Sequence, residues 1–242
     1  MSEQTEHEDA GYYRSRKKQL FKFLDRVGKA TQKAMSCRFN QESIRSIQAD
    51  ARQRFDELIS HIPYIGGKDN PYTEFIIATA AFLAYYRALQ ERGVAFKEAA
   101  RIIYQGFEVF YNPVPAWLRK IYGARIYLPM AISRIKTLAA RSQEHRYPVD
   151  YVFSYVPGDG LNFTYGIDFS ECATCKFLEE HGASELSPVL CAADYVNSLA
   201  FGYGLTRTQT ISNGDPRCDF RFKRGGETRV PVPAYLLENT PL

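Results

Sequence analysis

Apolar residues along the first 140 positions recur at helical spacing, and from Tyr147 onward the period shortens to two. Leu20, Phe21, Leu24 and Val27 alternate with Lys17, Lys18, Lys22, Arg26 and Lys29, which predicts an amphipathic basic helix. Asn40 is placed to cap a second helix whose apolar residues Ile44, Ile47, Ala51, Phe55, Leu58 and Ile59 fall on one side, and Pro63 ends it. Asn70-Pro71 opens a third helix that runs to about Arg92-Gly93, and Phe96 to Tyr111 forms a fourth, closed by Asn112-Pro113. Pro115 to Gly123 reads as a short helix or turn, and Ile126 to Ala140 as a further helix begun or kinked around Pro129.

Tyr151, Phe153 and Tyr155 alternate as in a strand, Pro157-Gly-Asp-Gly160 supplies a turn, and Phe163, Tyr165 and Ile167 alternate again. Two helices follow, Cys172 to His181 and Ser187 to about Ala200, and then two strands, Leu205 to Ile211 and Arg217 to Lys223. The expected fold is α+β: an N-terminal helical bundle packed on a small four-stranded antiparallel sheet, with two helices inserted as β-β-α-α-β-β. The boundaries are a disordered start at 1–12, a helical region at 13–144, an α+β region at 145–226 and a tail at 227–242, all in one integrated globular unit.

Composition narrows the class. With 45% hydrophobic and 24% charged residues over 242 positions, the chain has ordinary globular usage. The apolar run from Phe75 to Leu89 contains Arg87 and is shorter than the roughly 18–20 residues that span a bilayer, so a buried helix is expected there. The polar, acidic Met1–Ala10 segment lacks the apolar stretch of a secretory signal, and five cysteines without such a signal point to a reducing, cytoplasmic setting with free thiols or metal ligands.

Charge is uneven: residues 11–54 hold twelve Lys/Arg against three Asp/Glu, and residues 150–222 hold four against ten. The basic helix at 14–33 is a candidate contact with a subunit of the same chain, another protein or a membrane surface. No zinc-finger spacing or RNA-binding motif accompanies it, which argues against specific nucleic-acid recognition.

The chemistry concentrates between residues 172 and 222. Cys191, Asp194, Tyr195 and Ser198 recur three or four apart and share a helix face. Asp194 is placed to take a proton, orient water or hold a substrate amine, or else to pair with a buried arginine. Arg207 shares a strand face with Leu205, Gln209 and Ile211, so it is either half of an ion pair or a clamp for a ligand carboxylate. Cys218, Phe220 and Phe222 alternate with Asp219 and Arg221, which puts Cys218 in an apolar row. Glu185 precedes the Cys191 helix and is expected to lean over the same space as Asp194.

Cys172-x2-Cys175 has the bite of a zinc knuckle, but Cys191 and Cys218 arrive singly. A four-cysteine zinc site is permitted by that spacing rather than specified, and no cofactor is otherwise expected. There is no P-loop, dinucleotide fingerprint, HExxH or GxSxG elbow.

Cys172, Gly182 with Glu185-Leu186, Cys191 and Asp194, Arg207-Thr208 with Thr210, Gly214-Asp215 and Cys218-Asp219-Phe220-Arg221-Phe222 resemble the C-terminal signature of the L-2-amino-thiazoline-4-carboxylic acid hydrolase family, over about residues 145–224. Cys175, and Glu171 directly before Cys172, depart from that pattern and bear on metal content and pocket charge.

The resemblance implies hydrolysis of a cyclic amidine-like C=N bond in a small carboxylate substrate, by water added at C2. The candidate catalytic set is Asp194, Glu185, Cys191, Cys218 and Asp219, and the candidate substrate-binding set is Arg207, Thr208, Thr210 and Tyr195. Either water or a cysteine thiolate serves as nucleophile, and the absence of a histidine placed to activate a thiol leans toward water. Two other accounts stay open: a small-molecule or lipid-binding module lined by Phe163, Tyr165, Phe220 and Phe222, and a zinc-stapled partner protein. The high aromatic content, 17 Tyr and 16 Phe, leaves room for a larger or more apolar substrate.

Overall fold

The computed structural model describes residues 11–111 and 115–238. Of the 1–12 start read as disordered, residues 1–10 lie outside the described residues, as do Asn112-Pro113, read as a helix stop, and the last four residues of the tail; Gly11 and Tyr12 are helical instead, because Tyr12 packs against Tyr13 and Tyr64.

Among the described residues, the helices that precede the sheet include α1 (Lys17–Met35), α2 (Gln41–Leu58), α3 (Thr73–Gln90), α4 (Phe96–Tyr111), α5 (Ala116–Ala124) and α6 (Pro129–Ser142). The apolar face of α1 is already covered by its own chain, since Leu20, Leu24, Val27, Ala34 and Met35 are buried. Its lysines Lys18, Lys22, Lys29 and Lys33 stay exposed. Asn40 caps α2 as expected, its side chain accepting the Ser43 N–H at 2.8 Å. Helix α3 is apolar around nearly its whole circumference because neighbouring elements enclose it, so it forms the central pillar of the bundle.

The remaining elements are β1 (Val152–Pro157), β2 (Tyr165–Glu171), α7 (Ala173–Glu180), α8 (Ser187–Cys191), α9 (Ala193–Phe201), β3 (Leu205–Thr206), β4 (Cys218–Phe222) and α10 (Ala234–Leu237). The sheet is antiparallel with order β1-β2-β4-β3, so the fold is α+β. Register places Tyr165 opposite Phe222, Ile167 opposite Phe220 and Phe169 opposite Cys218. These six side chains form one row on the inner face, which packs into a core continuous with that of the helices. The outer face carries ions, with Arg221 bound to Asp168 at 2.6 Å. Full burial of a side chain such as Phe55 or Phe177 stabilises by about 2 kcal/mol, and the shared core contains many of them.

The sequence reading departs from the structure at three places. The helix expected from Ser187 to Ala200 is two pieces, broken at Ala192. Cys172 lies outside α7, in an extended conformation just before its first turn. The strand expected from Leu205 to Ile211 pairs only at Leu205–Thr206, because carboxylates replace the strand ladder beyond that point. Asp219 accepts the N–H groups of Thr208 at 2.7 Å and Gln209 at 2.6 Å, together with the Thr208 hydroxyl at 2.6 Å, and Asp215 accepts the N–H of Thr210 at 2.8 Å.

Helix α5 lies against the end of α9 so closely that a Cβ added at Gly123 would sit 1.8 Å from the Phe201 carbonyl oxygen. Gly123→Ala is expected to cost about 1–3 kcal/mol through overpacking, read by denaturant unfolding; an unchanged midpoint would show the two helices to be loosely apposed. Asp219 is the second weak point. Burial acts to raise its pKa, but the hydrogen bonds from Thr208 and Gln209 overcome this and hold it below the ordinary range. Its contribution is therefore present above the unfolded value of about 3.9 and is lost as pH falls through the folded value. Asp219→Asn should cost about 1 kcal/mol at neutral pH, with the difference from wild type vanishing in acid; a difference that persists below the folded value would refute this role.

Candidate active site

Between the inner sheet face and helices α3 and α4 lies a cavity of about 340 Å³. Tyr165, Ile167, Phe169, Phe220 and Phe222 make its floor, and Phe75, Thr79 and Phe82 of α3 with Phe107 and Tyr111 of α4 make its roof. One wall is polar: Cys191, Asp194 and Asn197 come from α8 and α9, Tyr203 and Arg207 from the segments around β3, and Cys218 from β4.

Arg207 is the buried cation of this wall, with 3% of its surface accessible. It continues inward from Leu205, as the strand alternation predicts. Its Nη1 donates to Asp194 Oδ2 at 2.5 Å, its Nη2 donates to the Cys191 carbonyl at 3.1 Å, and the guanidinium lies 5.1 Å over the Phe220 ring. A guanidinium so enclosed needs a counter-ion, and Asp194 supplies it. Asp194 keeps 28% of its side chain accessible and lines the cavity. Enclosure raises its pKa and Arg207 opposes the rise, leaving the carboxyl above its ordinary value. Arg207 is itself raised: burial acts to lower it, and the nearby Asp194 overrides that. Tyr111 is held neutral by burial and by the Asp194 charge.

The thiols form a second cluster. The neighbouring Cys172 thiol, reinforced by burial, pushes the Cys175 pKa up to about 12. Cys191 is raised well above the ordinary thiol value by Cys175 and by burial. Burial pushes Cys218 up to about 11, and its sulfur accepts the Ile211 N–H at 3.2 Å. These three thiols therefore stay protonated near neutral pH, which makes them poor nucleophiles. Beside them a hydroxyl chain runs from Tyr151 to Thr174 at 2.7 Å and on to Thr79 at 2.9 Å. Among the described residues, no group of three or more His, Cys, Asp or Glu side chains is arranged to hold a metal ion.

Of the residues singled out from the sequence, Asp194, Cys191, Cys218, Arg207 and Cys172 line the cavity, and Cys175 adjoins it through Cys172 and Cys191. Glu185 does not reach it: the carboxylate accepts the Tyr86 hydroxyl at 2.7 Å, against α3. Asp219 points to the outer sheet face and holds Thr208, so neither meets the cavity. Thr210 is buried outside the lining, with its hydroxyl unpartnered, and Tyr195 packs against the core.

The break at Ala192 splits the stripe that a continuous helix would present. It turns Leu190, Ala193, Asp194 and Asn197 toward the cavity, while Ser198 instead bonds Thr228 at 2.7 Å and the Leu205 N–H at 3.2 Å. Asn197 was within reach of sequence reasoning, lying one turn after Asp194. Tyr111 and Tyr203 carried no such signal, because their approach depends on how α4 and the turn after α9 pack.

The chamber and its ionic wall thus define an α+β protein with a largely aromatic site. The family model for L-2-amino-thiazoline-4-carboxylic acid hydrolase matches residues 74–222, from the start of α3 to the end of β4. This is more than half of the chain, and the chain belongs to that family. The match reaches well upstream of the C-terminal signature, taking in the helices that roof the cavity. No curated protein and no solved structure matches the chain. Among the described residues, no helix is long and apolar enough to cross a membrane.

The state of the thiols is directly checkable. Limited alkylation of the native protein near neutral pH, followed by mass spectrometry, should modify exposed Cys37 first and leave Cys175, Cys191 and Cys218 unmodified until the chain is denatured. Labelling of Cys191 or Cys218 as fast as Cys37 would show an activated thiolate.

Proposed function

We propose that this chain hydrolyses a cyclic amidine-like C=N bond of a small carboxylate substrate of the 2-amino-thiazoline type. The observation that carries the reading is the Asp194–Arg207 pair, its guanidinium buried and its carboxylate open to a largely apolar chamber. A substrate with an amidinium-like end and a carboxylate end is complementary to such a pair, its cationic end facing Asp194 and its anionic end facing Arg207. Family membership supports the reaction class.

Asp194 acts as the base. A carboxyl with a raised pKa gives a better match to proton transfer near neutral pH than one at the ordinary value. It takes a proton from water as the oxygen bonds to C2, and the C=N electron pair moves to the ring nitrogen, giving a tetrahedral centre. Collapse of that centre re-forms a carbon–heteroatom double bond at C2 and breaks the C2–S bond. The proton passes to the departing sulfur, which leaves as a thiol and yields a carbamoyl product. A thiol leaves more readily than an amine because its conjugate base is more stable. The protonated cysteines favour water over an enzyme thiolate as nucleophile. No histidine is among the residues lining the cavity, so none is in place to activate a thiol there.

Asp194→Asn should lower kcat on L-2-amino-thiazoline-4-carboxylate about 10²–10⁴-fold, while Cys191→Ala and Cys218→Ala stay within about tenfold of wild type. Turnover in the Asn variant within tenfold of wild type, or loss of turnover in either cysteine variant with folding intact, would overturn the assignment. The wild-type pH profile gives a check that needs no variant. Activity should climb with pH through an acid limb displaced above the usual carboxylate range, and a limb at or below about 4 would contradict the role of Asp194.

A further inference from the structure

Residues 115–136 carry five Lys/Arg and no Asp or Glu. The same segment holds half of the large apolar side chains that stand exposed among the described residues: Trp117, Ile121, Tyr122, Leu128 and Met130, with Trp117 64% and Met130 80% accessible. On α5 the geometry is unambiguous. Gly123 presses on the Phe201 carbonyl and fixes the inner face; Ile121 lies opposite it, Trp117 stands one turn earlier on the outer side, and Lys120 is exposed on the flank beside Trp117. Arg125 and Arg134 are exposed on the turn and helix that follow.

We propose that this face of α5 and the start of α6 docks on an anionic lipid bilayer, lying in the interface without spanning it. Apolar and aromatic side chains interleaved with basic ones, on short helices with no acidic residue, are the composition that inserts at the level of lipid headgroups. A symmetric second copy of this chain is the wrong occupant. A symmetric contact would set this acid-free basic face against itself, where neither partner offers a carboxylate. The segment is anchored just behind the cavity: the Tyr127 hydroxyl donates to the Tyr203 carbonyl, and Ile126 and Tyr203 both line the chamber. Docking therefore brings the chamber wall to the lipid surface. This inference does not depend on the hydrolytic reading.

Trp117 is the only tryptophan in the chain, so its emission reports on this face directly. With vesicles of phosphatidylcholine and phosphatidylserine, the full-length protein should show a blue shift that raised salt reverses and that vesicles of phosphatidylcholine alone do not produce. Lys120→Glu should weaken vesicle affinity about tenfold or more, each basic charge near the surface being worth about fivefold. Ile121→Ser should weaken it as well, and both variants should keep the wild-type circular dichroism spectrum. No shift with the mixed vesicles, an equal shift with the neutral ones, or a shift that appears on raising protein concentration without lipid would each overturn the proposal.

Discussion

The structure around the site depends on one constraint: a guanidinium taken out of water needs a counter-ion. Arg207 meets this with partners from three elements, namely the carboxylate of Asp194 on α9, the carbonyl of Cys191 at the end of α8, and the ring of Phe220 on β4. Its own N–H donates to the Arg229 carbonyl at 2.9 Å, which ties the C-terminal segment to the same point. Two helix ends and the last strand are thereby held in register by one side chain, and the tail by the backbone of the same residue. An ion pair in such surroundings adds little net stability over an apolar core of the same shape, yet removing one partner leaves an uncompensated charge. Its main effect is to fix which groups face the cavity.

The aromatic walls complete the arrangement. Rings on both the floor and the roof keep the dielectric low, which raises the carboxyl of Asp194 and the thiol of Cys218, while Cys191 is raised by Cys175 first and by burial second. The same burial that prepares the acid for proton transfer disarms the sulfur. Cysteine richness here marks a soft, protonated lining, with Cys175 next to the thiols of Cys172 and Cys191.

Much of the fold was legible because the hydrophobic period changes so sharply near residue 147. The α2 cap at Asn40, the all-round apolar α3 and the alternation of Cys218, Phe220 and Phe222 appear in the structure where local chemistry places them. The pairing of Asp194 with Arg207 was legible only as one of two readings for each residue, since an inward-facing arginine requires an acid but does not name it. Three features were not legible. Asp219 enters the candidate set through the Cys218–Phe222 run of the family resemblance, yet it is consumed in replacing strand hydrogen bonds at Thr208 and Gln209. Glu185 is close to α8 in sequence, but the turn before it directs the carboxylate to Tyr86. The contributions of Tyr111 and Tyr203 are tertiary in origin, and no spacing along the chain encodes them.

The central claim is that Asp194 and Arg207 act as one buried unit, and a double-mutant cycle tests it most directly. Unfolding free energies of wild type, Asp194→Ala, Arg207→Met and the double variant would be measured by denaturant titration at neutral pH. The account predicts a coupling energy of about 2 kcal/mol or more, with the double variant no less stable than Asp194→Ala alone. Additive effects, with coupling under about 0.5 kcal/mol, would contradict it.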